Sequence, residues 1–269
     1  MAEELVIGAV AYTANVVPIW EGIRDYFRDS EAPMDFVLYS NYERQVDALL
    51  AGHVDVAWNT NVAWVRATRK TDGAARALAM RDTDTTFQSV FVARSGSGFG
   101  GLADAKGRNV VLGSKDSGQA RILPLYYLAE AGIAEEDMSL SVIDSDVGKH
   151  GDTGRSELDC LRAVLDDEAE VTAIGKPTWD ALAADGGVDD LEVFWTSPAY
   201  CHCNFTALPS LSDERVAPWV DHLLAMDWEV PEHRRILELE GLRQWVRPQH
   251  EGYRSLFSAM ETQGIADGW

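Results

Sequence analysis

Residues 112–127, LGSKDSGQARILPLYY, decide how the chain reads. An apolar strand, Val110, Val111 and Leu112, runs into a turn of small and polar residues, Gly113-Ser114-Lys115-Asp116-Ser117-Gly118. A helix starts near Gln119. The first amides of a helix have no partner within it, and the helix dipole is positive there. A small-residue turn feeding a helix start is therefore a seat for an anion. The same residues also read as an ordinary strand–turn–helix junction with Ser117 as N-cap. The local sequence leaves both readings open.

Outward from this stretch the chain alternates strand and helix. Residues 5–9 read as a first strand. Apolar residues at 16, 19, 20, 23, 26 and 27 have helical spacing. A strand at 36–39 precedes a helix at 42–51, with Val46, Leu49 and Leu50 on one face and Gly52 as its stop. A third strand, 54–58, ends in the polar loop Asn59-Thr60-Asn61. Such alternation predicts a sheet with helices on its faces. Ligands of these sheets sit beyond the C-terminal strand ends, where Tyr12, residues 40–42 and residues 59–61 fall.

A further strand, 88–94, is followed by a Gly/Ser-rich run and a second α/β cycle, with strands at 110–112, 140–143, 169–174 and 191–195. Residues 200–207 read as a return strand, and the tail after Pro209 as mostly helical. The expected architecture is α/β and two-lobed. Residues 1–90 plus 200–269 form one lobe, and 91–199 an inserted second lobe. Each is a mixed, mainly parallel sheet flanked by helices.

The totals set limits. With 269 residues and 46% apolar composition the chain can bury a sizeable core. Its net charge of −21 repels nucleic acid and anionic membrane surfaces, so an anionic ligand must be held by local N–H groups and a few cations. Three cysteines, Cys160, Cys201 and Cys203, do not make a disulfide framework and fit a reducing compartment. No apolar run is long enough to span a membrane. The sequence enters a strand at once, without a basic n-region, so the expectation is a cytoplasmic protein as the sequence stands, or a periplasmic or extracellular one from which a signal peptide was removed.

Five segments then match a known pattern in order and spacing: YSNYERQVDALLAGHVDVAW (39–58), QSVFVAR (88–94), LADAKGRNVVLGSKDSGQARILPLYYLAEAGI (102–133), LEVFWTSP (191–198) and LELEGLRQWVRPQHEGYRSLF (237–257). Together they resemble the type II periplasmic-binding-protein fold, and within it the PhnD-like phosphonate- and phosphite-binding proteins of ABC transporters. The resemblance implies two lobes joined by two crossover hinge strands. It implies a small anionic ligand in the cleft between them, a phosphonate, phosphite, related oxyanion or carboxylate, with its head on the helix start at Ser117. It implies no cofactor, an ABC-transporter permease as partner, and a monomer. Tyr42 matches a ligand-contacting tyrosine, and Ser117, Gly118, Gln119 and Ala120 match the anion loop. His150 falls in the loop that supplies a histidine in this family. The chain departs from the pattern at Phe87, which lacks a hydroxyl, and at Gln119, which replaces one.

With these go the strand-end candidates Tyr12, Asn59, Thr60, Asn61, Gln88, Ser114, Lys176 and Tyr200. Lys149, His150 and Asp152 place a cation, an imidazole and a carboxylate in one loop. They suit ligand contacts, a general base (His150) oriented by Asp152, or a solvated loop. Glu157 and residues 166–168 read as solvated faces.

The segment YCHCNF (200–205) departs most from a transport protein. On a regular strand Cys201, Cys203 and Phe205 share one face, while Tyr200, His202 and Asn204 share the other, which makes His202 a ligand candidate. Such a strand does not bring Cys201, His202 and Cys203 to one ion. Buried structural thiols, a metal site on those residues and a reactive thiol all stay open. The second functional reading is a cytosolic enzyme on the same fold, lyase-like or metal-dependent, in cofactor or small-molecule biosynthesis. It would use His150, His202 and Cys201 or Cys203.

Overall fold

The computed structural model of the protein describes residues 4–12, 16–144 and 155–268. The strands are β1 (Leu5–Val10), β2 (Met34–Tyr39), β3 (Val56–Asn59), β4 (Arg76–Arg81), β5 (Ser89–Arg94), β6 (Asn109–Leu112), β7 (Ser139–Val142), β8 (Val171–Gly175), β9 (Leu191–Thr196), β10 (Asn204–Ala207) and β11 (Trp245–Val246). They form two sheets, β11-β4-β10-β3-β1-β2 and β7-β6-β8-β5-β9. The described chain divides into two compact units. One holds residues 1–86, 201–254 and 266–269, and the other 87–200 and 255–265.

Parallel pairing is confined to the strand–helix–strand runs: β1 with β2 and β3, and β6 with β7 and β8. The strands next to the chain crossings, β5 and β10, are antiparallel to both their neighbours. The sheets are thus mixed, with less parallel pairing than the sequence alternation suggests. β4 carries RALAMR, a run with no clear alternation, and pairing with β10 and β11 makes it a strand.

In the first unit the helix Val16–Phe27 buries Ile19, Trp20, Ile23 and Phe27, as its spacing requires. The core meets at Phe205 of β10, whose ring lies 4.6 Å from Trp58, 5.0 Å from Trp219 and 5.3 Å from Trp245. In the second unit Val90, Val92, Val111 and Ile174 pack against Cys160, Leu161 and Val164 of the helix Arg155–Leu165.

Two expectations need correction. Residues 255–265 belong with the second unit, not the first: Gln263 Nε2 donates to Ile122 O (2.8 Å), and Tyr127 bonds Ser255. The amphipathic helix Arg254–Thr262 shows an apolar face in sequence but does not say which sheet will cover it. The return strand is also shorter than expected. It starts at Asn204, and residues 201–203 are irregular, so the alternation of faces does not apply to them.

Candidate functional site

In the second unit β6 ends at Leu112, and the chain turns into a π-helical stretch, Gly118–Ile122, continued by the helix Leu123–Glu130. Ser117 caps it, its Oγ accepting from Ala120 N at 3.1 Å. Gly113 is required by close approach, because a Cβ there would stand 2.8 Å from the Ala120 Cβ. Ser114 and Ser117 are buried beside it. So is Ser156, on the first turn of the helix Arg155–Leu165, whose Oγ lies 3.2 Å from where that Cβ would be. Ser156 is fully buried, and among the described residues its hydroxyl has no hydrogen-bond partner. A buried hydroxyl left unmatched costs about 1–3 kcal/mol, so an acceptor brought to this turn would be stabilised by it.

Gln119 is held from behind. Its Nε2 donates to Glu157 Oε1 (2.9 Å), and Glu157 Oε2 accepts from Gly175 N (2.9 Å). The Gln119 carbonyl accepts from Ser89 Oγ (2.8 Å), which also bonds the Tyr200 hydroxyl (2.8 Å). Phe87 closes over Gly175 at the same place and pairs with Tyr200, whose N–H donates to Phe87 O (2.9 Å). The candidates Phe87, Ser114, Ser117, Gly118, Gln119 and Tyr200 therefore come together around Gly113 and Gly175. Gln88 turns its amide to Ser197 O (2.8 Å). Lys176 is ion-paired one turn down its own helix with Asp180, at 2.6 Å.

Glu157 corrects the sequence reading: it is 2% exposed, not on a solvated face. The signal was present, since Glu157 shares the helical face of Cys160, Leu161 and Val164. Ser156 had no comparable signal, because nothing in its neighbours places it under Gly113.

In the first unit Tyr42 opens the helix Tyr42–Leu50, with Asn41 as N-cap (Oδ1 from Arg44 N, 2.8 Å). Thr60 caps the helix Asn61–Lys70, which puts Asn61 in its first turn. Tyr12 is half-buried against the core. Asn59 is committed to a buried polar chain. It accepts from Gln45 Nε2 (2.8 Å) and donates to Thr206 Oγ1 (2.9 Å), which bonds Asn204, which donates to the Tyr253 hydroxyl (2.9 Å).

The cysteine–histidine segment parts in two directions. Cys201 points its thiol to Gln249 O (3.2 Å) and packs so closely on Gly252 that a Cβ there would meet Sγ at 2.3 Å. Burial, with Asp84 adding to it, pushes that thiol up to about 11, and burial pushes Cys160 up to about 12. Burial thus favours the protonated form of both thiols. His202 is buried at 1% exposure, so the polar-face argument for it falls with the strand. Its Nδ1 lies 3.1 Å from Cys203 Sγ and 3.6 Å from Asp84 Oδ1. Lys149, His150 and Asp152 lie outside the described residues.

Comparison with known proteins gives the family. Residues 10–253 match the family described as "ABC transporter, phosphonate, periplasmic substrate-binding protein". The chain belongs to this family. A curated relative, "Probable ABC transporter phosphite binding protein PhnD1" of Prochlorococcus marinus (strain MIT 9301), is 21% identical over 245 residues, covering 87% of this chain and 80% of the relative. The solved structure of PhnD1 from that organism in complex with methylphosphonate superposes with a TM-score of 0.75 at 20% identity, covering 97% of this chain and 98% of that one. The periplasmic aliphatic sulphonate binding protein SsuA from Escherichia coli gives 0.67 at 15% identity, covering 99% and 94%.

The protein thus has the two-lobed periplasmic-binding-protein fold, with two mixed sheets flanked by helices. It is an ABC-transporter substrate-binding protein that takes a small anionic ligand. Proteins of this family are periplasmic and work with permease components. Among the described residues no helix is long and apolar enough to cross a membrane.

Proposed function

We propose that the ligand is a small phosphorus oxyanion, a phosphonate or phosphite, with its head on the turn 114–120, and that the protein hands it to a permease on the outer side of the cytoplasmic membrane. The observation that carries this reading is the Ser156 hydroxyl, without a partner among the described residues and buried against Gly113 beside Ser114 and Ser117 at a helix start. A chain of net charge −21 offers such a ligand no long-range attraction. Binding must come from short, directed donors, and hydroxyls and helix-start amides supply them. The paired Lys176 adds little, because its charge already faces Asp180.

Isothermal titration calorimetry with phosphite, methylphosphonate, an alkanesulfonate and a carboxylate tests the head group. The phosphorus oxyanions bind tightest; a sulfonate or carboxylate that binds tighter overturns the assignment. Ser117→Ala combined with Gln119→Ala weakens binding tenfold or more, since a hydrogen bond from the Ser117 hydroxyl to a charged, desolvated group contributes roughly 1.5–3 kcal/mol and Gln119 braces the turn through Glu157. Unchanged affinity in that variant rules out the turn as the seat.

A further inference from the structure

Asp84, His202 and Cys203 meet inside the first unit in a cluster that anion binding does not use. Each offers one ligand atom, and the three atoms lie within 4.8 Å of one another. All three side chains are buried, Asp84 and His202 at 1% exposure and Cys203 at 4%. The backbone sets the geometry: His202 N–H donates to Asp84 O (3.0 Å), so the tight turn Asp82–Asp84 is tied to the chain returning at residue 202. A tetrahedral zinc site with one sulfur, one nitrogen and one oxygen ligand has ligand–ligand edges of about 3.4–3.6 Å. The Nδ1–Sγ separation is 3.1 Å and the Nδ1–Oδ1 separation 3.6 Å. Both edges are within half an ångström of that shape.

The charges around the cluster also fit a divalent cation. Arg81 stands between two buried carboxylates. It donates to both oxygens of Asp84 (2.6 and 3.0 Å), and its Nη1 lies 3.7 Å from Glu240 Oε1. The single guanidinium is shared between the two carboxylates. A Cys203 thiolate would add a further negative charge, in a region where unpaired charge is costly.

We infer that Asp84, His202 and Cys203 form a binding site for a borderline-soft divalent cation of the zinc class. Carboxylate, imidazole and thiolate together select Zn(II) and its neighbours Co(II) and Ni(II) over the hard ions Mg(II) and Ca(II). Binding replaces the Cys203 S–H bond with a metal–sulfur bond and releases that proton to solvent; no electron is transferred. The ion would clip the segment by which the chain leaves the first unit, ending at Thr86, to the segment by which it re-enters, starting at Cys201. Its role is structural and separate from the oxyanion seat.

The full chain, stripped with chelator and dialysed, is titrated with Co(II) and then Zn(II). One equivalent of Co(II) produces a thiolate-to-metal charge-transfer band in the near ultraviolet and the intense visible bands of a tetrahedral site. Zn(II) bleaches them, and Mg(II) and Ca(II) have no effect. Cys203→Ser abolishes the charge-transfer band, whereas Cys201→Ser and Cys160→Ser retain it. Zn(II) raises the Tm of the wild type and of the Cys201→Ser variant, but not that of Asp84→Asn. Absence of the band in folded wild-type protein overturns the inference. So does a band that survives in Cys203→Ser or is lost in Cys201→Ser. Should Cys203→Ser or Asp84→Asn fail to fold, the wild-type titration and the two retained-band variants still decide the matter.

Discussion

The turn at residues 113–120 and the cluster around Asp84 are both buried and polar, but they are built from opposite materials. The turn is mainly backbone. A glycine that tolerates no Cβ, a capping serine and the open amides of a helix start make it, and its side chains are short hydroxyls. The cluster is mainly charged side chain. Arg81, Asp84, Glu240, His202 and Cys203 are held by one another, with Arg81 also donating to the Glu240 carbonyl at a helix C-terminus. A backbone site can be left empty cheaply, because its donors are neutral. A site of charged side chains cannot, because removing one partner strands another charge in a low-dielectric core.

That difference sets the size of the expected effects. The largest is in the cluster. Arg81→Met removes the guanidinium that lies over the Trp58 ring and leaves Asp84 and Glu240 uncompensated. It destabilises the fold by about 3–5 kcal/mol, measured by urea unfolding. A loss under 1 kcal/mol would show that the cluster is no more charge-dependent than the turn.

The next effect is pH dependence. Burial, reinforced by Asp84 and opposed by Arg81, lifts the Glu240 carboxyl of the metal-free protein from 4.5 to about 7. The folded state therefore holds this proton more tightly than the unfolded state. The stability this group contributes is whole below about 4.5 and is lost as pH rises through about 7. The unfolding free energy of the wild type accordingly falls more steeply across this window than that of Glu240→Gln, a difference on the order of 2 kcal/mol measured by urea unfolding at each pH. Equal slopes in the two proteins contradict this.

The smallest effect sharpens the contrast from the other side. Ser156→Ala removes a buried hydroxyl that has no partner among the described residues, so thermal stability stays level or rises slightly. Oxyanion affinity falls by a factor of about five to ten, the equivalent of roughly 1 kcal/mol. Loss of stability with unchanged affinity would make Ser156 a packing residue only.

Much of the fold was legible because it rests on local pattern. Helical spacing at 16–27, the cap at Asn41, the stop at Gly52 and the strand–turn–helix at 110–127 each follow from neighbours in sequence. β4 was not legible, since RALAMR lacks alternation and becomes a strand only between β10 and β11. The residues of the turn could be named, but not the position of Ser156, which arrives from another helix. In the segment 200–205 the sequence did not show which neighbours each side chain meets. Cys201 leaves toward Gln249 and Gly252, and Asp84 takes its place beside His202 and Cys203.

By itself, then, the sequence determined the alternating α/β architecture, the anion-suited turn, the family pattern and the need for local donors in so acidic a chain. These depend on periodicity, capping and net charge, which neighbouring residues and totals fix. Only the tertiary structure decided what lies behind the turn, which sheet covers the last helix, and which carboxylate joins His202 and Cys203. Those are contacts between residues far apart in the chain, and they exist only once the sheets have brought their strand ends together.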